Sequence, residues 1–161
     1  MSLNAEELIE FYGLEKHPEG GYFRESYRAP DTVTVGRGER NSSTAIYFLL
    51  KAGDRSRLHR IKSDEVWHFY EGGPITVAQI EPDGRVQYTI MGKDAASGQK
   101  LQHAVPAGRW FGAFPCAGTE FSLTGCTVAP GFDFTDFELG ERAALLEQLP
   151  GAQEIILKLT D

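Results

Sequence analysis

Residues able to do chemistry crowd into the stretch from Gly53 to Gly72, where Arg57, His59, Glu65 and His68 are interleaved with Trp67, Phe69 and Tyr70. Side chains alternate across an extended chain, so Arg57, His59 and Ile61 share one face of a strand, with Leu58 and Arg60 on the other. Lys62-Ser63-Asp64 reads as a polar turn. Glu65, Trp67 and Phe69 then share a face of the next strand. If the two strands lie across from one another, His59 and Glu65 converge on a volume walled by Trp67 and Phe69. A histidine and a carboxylate in an aromatic-lined cavity form an acid/base pair. Burial raises the carboxyl pKa, and the neighbouring positive charge opposes that rise.

The elements that must position this pair are mostly strands. Asn4 to Tyr12 predicts a short amphipathic helix, capped by Asn4, acidic in its first turn at Glu6 and Glu7, and ended by Gly13. For more than a hundred residues afterwards, short runs rich in Val, Ile, Tyr, Phe and Thr alternate with turn signals. These include Pro18-Glu19-Gly20-Gly21, Gly36-Arg37-Gly38 and Pro106-Ala107-Gly108. That pattern belongs to an all-β sandwich or barrel. Pro82-Asp83-Gly84, between Ile75–Ile80 and Val86–Met91, is the clearest hairpin. Residues 43–50 are apolar on both faces, as expected of a strand covered on both sides. Residues 93–99 read as a loop. Glu141 to Leu149 and Ala152 to Leu159 have helical composition, separated by Pro150. No repeat or linker divides the chain, so residues 1–161 are expected to form one domain.

Composition removes several functions. The 161 residues are 41% hydrophobic and 24% charged, ordinary for a globular protein with a real core. The net charge of −7, with Lys and Arg scattered, argues against nucleic acid. The densest basic stretch, Arg55 to Lys62, runs at once into Asp64 and Glu65. No run approaches the roughly 20 apolar residues of a membrane span, and the acidic N-terminus does not resemble a signal peptide. The expected location is therefore the cytoplasm, where Cys116 and Cys126 stay reduced.

The spacing also carries a resemblance. Gly53, His59, Glu65 and Gly72 fall on the first motif of the cupins (Gly, five residues, His, one residue, His, three or four residues, Glu, six residues, Gly), with Ile61 in place of the second His. Pro106 and Gly108 match the second cupin motif, while Lys100, Phe111 and Pro115 stand at its Gly, His and Asn positions. Two of the four usual metal ligands are thus replaced. The chain as a whole resembles the narrower DUF985 or Cupin 5 family. The matching segments are residues 14–23, 43–50 and 64–70, and Ala129-Pro130-Gly131-Phe132-Asp133-Phe134. The resemblance implies an antiparallel double-stranded β-helix, the jelly-roll cupin barrel, with short N- and C-terminal helices, a pocket and a dimeric state. It implies no assigned activity.

Three functions follow as expectations. A catalytic metal normally takes three protein ligands, and His59 and Glu65 supply two, so no cofactor is expected and a divalent metal is the least favoured alternative. Of the other histidines, His17 lies in the N-terminal turn, His68 has the opposite strand parity to Glu65, and His103 sits on a neighbouring strand. The leading expectation is a metal-independent epimerase or isomerase acting on a sugar or keto-sugar derivative. His59 stands where the similar keto-sugar epimerases carry their base, with Glu65 as its partner. Tyr47 or Tyr22 would be the acid, and Arg57 or Arg24 would hold an anionic group or stabilise an enolate. The alternative is a non-catalytic pocket that holds a small ligand against Ile61, Trp67, Phe69 and Phe111. Glu19 reads first as part of a glycine turn and only second as a ligand contact. Asp133, among Phe132, Phe134 and Phe137, is a candidate for the barrel mouth. A β segment at residues 21–27, apolar on both faces, is costly to leave as an open edge, and a homodimer is expected to cover it.

Overall fold

The structure, a computed structural model, describes residues 1–161. The alternating apolar runs form two facing antiparallel sheets. One orders its strands as β1 (Glu15–Lys16), β2 (Tyr22–Arg28), β5 (Thr44–Lys51), β12 (Phe121–Ala129), β7 (Asp64–Gly72) and β10 (Gln102–Val105). The other runs β13 (Glu138–Leu139), β6 (Ser56–Arg60), β11 (Trp110–Pro115), β8 (Ile75–Ile80) and β9 (Val86–Met91). A separate hairpin joins β3 (Thr32–Val35) to β4 (Gly38–Asn41). This is the jelly roll that the resemblance to the cupins implied.

The inward faces enclose the main core. Phe48, Leu50, Trp67 and Phe69 of the first sheet meet Ile75, Val77, Phe111 and Ala113 of the second. Alternation puts Trp110, the neighbour of Phe111, on the opposite face, where it packs with Leu58, Ala78 and Ile80 against the C-terminal helices α2 (Arg142–Gln148) and α3 (Gln153–Leu159). Strand β8 is buried along its whole length because both its faces are covered. At the other side, α1 (Ala5–Tyr12) lays Leu8 on Leu49 and Leu123. The Asn4 side chain accepts the Glu7 N–H at 3.0 Å while the Glu7 carboxylate accepts the Asn4 N–H at 2.8 Å, a complete capping box.

Two local expectations change. Residues 93–99 contain one 3₁₀ turn, Ala95–Ser97, capped by the Asp94 carboxylate. More consequentially, β6 and β7 are not hairpin partners. Strand β6 pairs with β11 and β13, whereas β7 pairs with β12 and β10. The Lys62-Ser63 turn therefore carries the chain from one sheet to the other. His59 and Glu65 face the same interior from opposite walls.

Candidate functional site

One end of the barrel holds a cavity of about 340 Å³. Its apolar wall comes from Phe23, Ile46, Ile61 and Val128, and its mouth from Phe132, Phe134 and Phe137. Those three rings follow β12 and pack edge-to-face on one another at 4.8–6.3 Å between centroids. Arg37 and Arg40 of the β3–β4 hairpin bind the buried Asp136 carboxylate at 3.1 and 2.8 Å, which ties the hairpin to this segment. At the inner end, His17, Glu19, His59, Glu65 and Cys126 come together.

Glu19 is the residue around which this group is built. Its carboxylate lies 2.9 Å from Nε2 of His59 and 3.7 Å from Nδ1 of His17. Gly20 makes the approach possible. Its φ is +113°, and a Cβ there would stand 2.0 Å from the Arg55 carbonyl oxygen, so the turn lies flat on β6. Arg57 fastens it: its backbone N–H donates to the Glu19 carbonyl at 2.8 Å, and its guanidinium donates to the carbonyls of Pro18 and Glu19. We expect Gly20→Ala to cost about 3 kcal/mol, from steric overlap and a left-handed φ together. A urea titration would show this, and an unchanged midpoint would refute the packing argument.

The protonation states follow from the contacts. His59 Nδ1 sits 2.7 Å from the Arg57 carbonyl oxygen, an acceptor only, so this nitrogen carries a proton. Nε2 faces the Glu19 carboxylate. Burial pushes the His59 pKa down, but the charge and hydrogen bond of Glu19, with help from Glu65 and the Arg57 carbonyl, raise it overall. Burial likewise pushes Glu19 up, and the charge and hydrogen bond of His59 outweigh it, leaving Glu19 below its ordinary range. Glu65 has no such close partner. Burial lifts it to about 7, and the charge of His59 and the neighbouring Cys126 thiol only partly oppose this, while the charge of Glu19 pushes the same way as burial. Burial beside Glu65 keeps Cys126 a thiol.

Of the residues singled out in the sequence, His59, Glu65 and Ile61 line the cavity. The direct hydrogen-bonding partner of His59 is Glu19 rather than Glu65. Trp67 and Phe69 lie deeper, inside the main core. Phe111 is there too, and it reaches the site only by packing on the His59 ring at 4.2 Å between centroids. Tyr47, Tyr22 and Arg24 have the wrong parity: on β2 and β5 it is Phe23, Glu25, Thr44 and Ile46 that point inward. Tyr47 instead stacks on Tyr12, Tyr22 lies under the Lys51 ammonium, and Arg24 donates to the Tyr12 carbonyl. The Arg57 side chain faces Asp161 and the turn. The sequence puts His17 in the N-terminal turn and gives Glu19 a ligand contact only as a second reading; the structure brings both into the site. Asp133 does line the mouth.

With this geometry in hand, the comparisons place the chain. Residues 6–140 match the family Cupin 5, described as Cupin superfamily (DUF985). The protein belongs to this family. Within it, the chain is 32% identical to the uncharacterized protein YML079W of Saccharomyces cerevisiae, over 94% of its own length and 82% of the relative's. Among solved structures it superposes on protein SO0799 of Shewanella oneidensis with a TM-score of 0.92 at 39% identity, covering 99% of both chains. A hypothetical protein from Leishmania major gives 0.91 at 34% identity, covering 98% of this chain and 99% of the other. Oxalate decarboxylase from Bacillus subtilis shares the fold at 17% identity (TM-score 0.56), over 89% of this chain and 36% of the longer one.

A cupin barrel raises the question of a metal. Ile61 and Phe111 offer no lone pair, and both nitrogens of His59 are engaged by protein acceptors. No three His, Cys, Asp or Glu side chains gather in metal-holding geometry. The donor set of this DUF985 protein does not fit a resident divalent ion. No helix is long and apolar enough to cross a membrane.

Proposed function

We propose that this cupin binds a small carbonyl compound, such as a keto-sugar derivative, and moves a proton on it without a resident metal, as an isomerase or epimerase. One observation carries the reading. The inner end of one cavity holds two buried carboxylates pushed in opposite directions, Glu19 downward and Glu65 to about 7. Such a split marks a division of acid/base roles. A group titrating near neutrality is the effective proton carrier, which favours Glu65 over His59, whose nitrogens are both occupied. The Glu65 carboxylate takes the proton on a carbon next to the carbonyl, and the C–H electron pair moves toward the carbonyl oxygen. The carboxylic acid so formed delivers the proton to the carbon that bore the carbonyl oxygen, and the proton of the neighbouring hydroxyl passes between the two oxygens, which completes an isomerisation. The Glu19–His59 ion pair fixes the local charge.

The test uses protein purified without a metal-affinity column. Elemental analysis is paired with a thermal-shift screen of sugars, nucleotide sugars and keto acids. Each hit is then followed in D₂O for exchange of its α-proton. Exchange that falls at least about 100-fold in Glu65→Gln supports the reading. Exchange indifferent to that substitution, or a stoichiometric metal, overturns it. The aromatic mouth favours a second reading, a non-catalytic ligand-binding cupin, which binding without any exchange would establish.

The same proposal includes a homodimer in a reducing compartment such as the cytoplasm, in keeping with the free thiols Cys116 and Cys126. Strand β1 covers β2 only at Tyr22 and Phe23, so the outer edge of β2 is open from Arg24 to Arg28, and Tyr27 beside it is exposed. Pairing with a second copy closes that edge. Light scattering at micromolar concentration should return twice the monomer mass of 17.8 kDa. A monomer would sink the dimer.

A further inference from the structure

His17 has a role that neither its place in a turn nor the Glu19–His59 pair accounts for. The backbone N–H of Glu19 donates to His17 Nδ1 at 3.1 Å. A ring nitrogen that accepts a hydrogen bond carries no proton, so the imidazole is neutral and its single proton sits on Nε2. Nε2 meets no acceptor anywhere in the protein, yet it is not among the buried polar atoms sealed from solvent. The ring lines the cavity, held edge-to-face on Phe23 at 4.4 Å with Phe137 at 6.4 Å. This is a donor held in place by its neighbours, without a protein acceptor, on a residue that lines the cavity.

The cavity is poor in the groups that receive anions. Arg28 is the only Lys or Arg on its wall, and its guanidinium is spent on Glu25 at 2.6 Å, Asn41 at 2.9 Å and the Phe132 carbonyl at 3.0 Å. Glu25 and Asp133 add carboxylates to the lining. A phosphate or carboxylate entering here meets negative charge and no free cation.

Resting on the reading of the cavity as a carbonyl site, we infer that His17 is a substrate-binding donor whose Nε2–H holds the oxygen of an uncharged carbonyl compound, and that anionic substrates are excluded. A neutral imidazole suits this task because it polarises a carbonyl, and stabilises the oxygen as negative charge grows there, without giving its proton away. Burial, reinforced by the nearby His59 and opposed by Glu19, lowers the His17 pKa and keeps it neutral.

The probes are acetophenone, α-methylstyrene (the same shape with CH₂ in place of the carbonyl oxygen) and benzoate, followed by NMR on the full chain. Long-range ¹H–¹⁵N spectra of the unmodified protein should show His17 neutral and protonated at Nε2 at pH 7. A cation or the other tautomer overturns the inference, independently of any variant. Acetophenone should shift both the Phe132, Phe134 and Phe137 ring signals and His17 Nε2–H, and it should bind more tightly than benzoate. His17→Phe should weaken acetophenone about five- to tenfold, the worth of one neutral hydrogen bond, and leave α-methylstyrene unchanged. His17→Gln, whose amide N–H can take the place of Nε2–H, should restore most of the loss. Ring shifts without a His17 response, equal weakening of both neutral probes, or tighter binding of benzoate overturn the His17 inference alone. No ring shift with any probe overturns the carbonyl site and this inference together.

Discussion

Replacing Glu65 with Gln should stabilise the protein at pH 9 by about 3 kcal/mol and have little effect at pH 5. The folded protein holds the Glu65 proton up to about pH 7, against a reference value of 4.5 for the unfolded chain. Between those values the folded state binds more protons than the unfolded one, so stability falls as pH rises through the window. At about 1.4 kcal/mol per pH unit, the shift corresponds to about 3 kcal/mol, fully felt above pH 7. Glutamine keeps the shape and never ionises, so it escapes that cost. His59 steepens the wild-type slope. Its raised pKa contributes stability that is present below 6.5 and lost as pH rises through the higher folded value. Urea midpoints at pH 5, 7 and 9 measure the effect. Equal midpoints for the two proteins at pH 9 would show that Glu65 ionises freely in the fold.

Replacing Glu19 with Ala should have the opposite pH profile, with a loss of about 3 kcal/mol at pH 5.5 that shrinks to about 1 kcal/mol at pH 8. In the intact protein Glu19 is the counter-charge of a buried imidazolium 2.9 Å away. Removing one member of a buried pair costs about 3–5 kcal/mol because the other charge is stranded. The low end applies here, since Glu65 faces the same histidine and can take over part of the charge. Without Glu19, burial dominates and His59 falls below its ordinary value of 6.5. The unfolded state then binds more protons than the folded one at mildly acid pH, and stability rises with pH. Above pH 7 both states are neutral, and only the hydrogen bond, worth about 1 kcal/mol, is missing. A pH-independent loss would mean that Glu19 acts through packing and not through charge.

These two expectations turn on different parts of the chain, and the sequence exposed them unequally. Glu65 was legible because strand parity and a spacing shared with the cupins both put it beside His59. The helix capped by Asn4, the Ile75–Met91 hairpin and the division of Trp110 from Phe111 were legible for the same reason: each depends on residues within a few positions of one another, where periodicity and turn chemistry act. The open edge of β2 also followed from local pattern.

Inward and outward faces were harder. On β2 and β5 both faces carry aromatic residues, so parity alone could not choose Phe23 and Ile46 over Tyr22 and Tyr47, and the choice was made by α1, which covers Leu49 and brings Tyr12 onto Tyr47. Trp67 and Phe69 share the face of Glu65, as expected, but they run deeper along the barrel axis, a coordinate that alternation does not contain. The turn from His17 to Gly21 was the least legible element. It enters the site only because Gly20 fits against the Arg55 carbonyl and Arg57 binds the turn, contacts across some forty positions of sequence. Residue order gave an all-β sandwich or barrel and the His59–Glu65 neighbourhood, and the resemblance to the cupins implied the jelly roll and the loss of two metal ligands. Tertiary packing decided that His59 pairs with Glu19, that Glu65 is raised to about 7, and that His17 comes to line the cavity, because hydrogen bonding and burial depend on which distant segments share the same few ångströms.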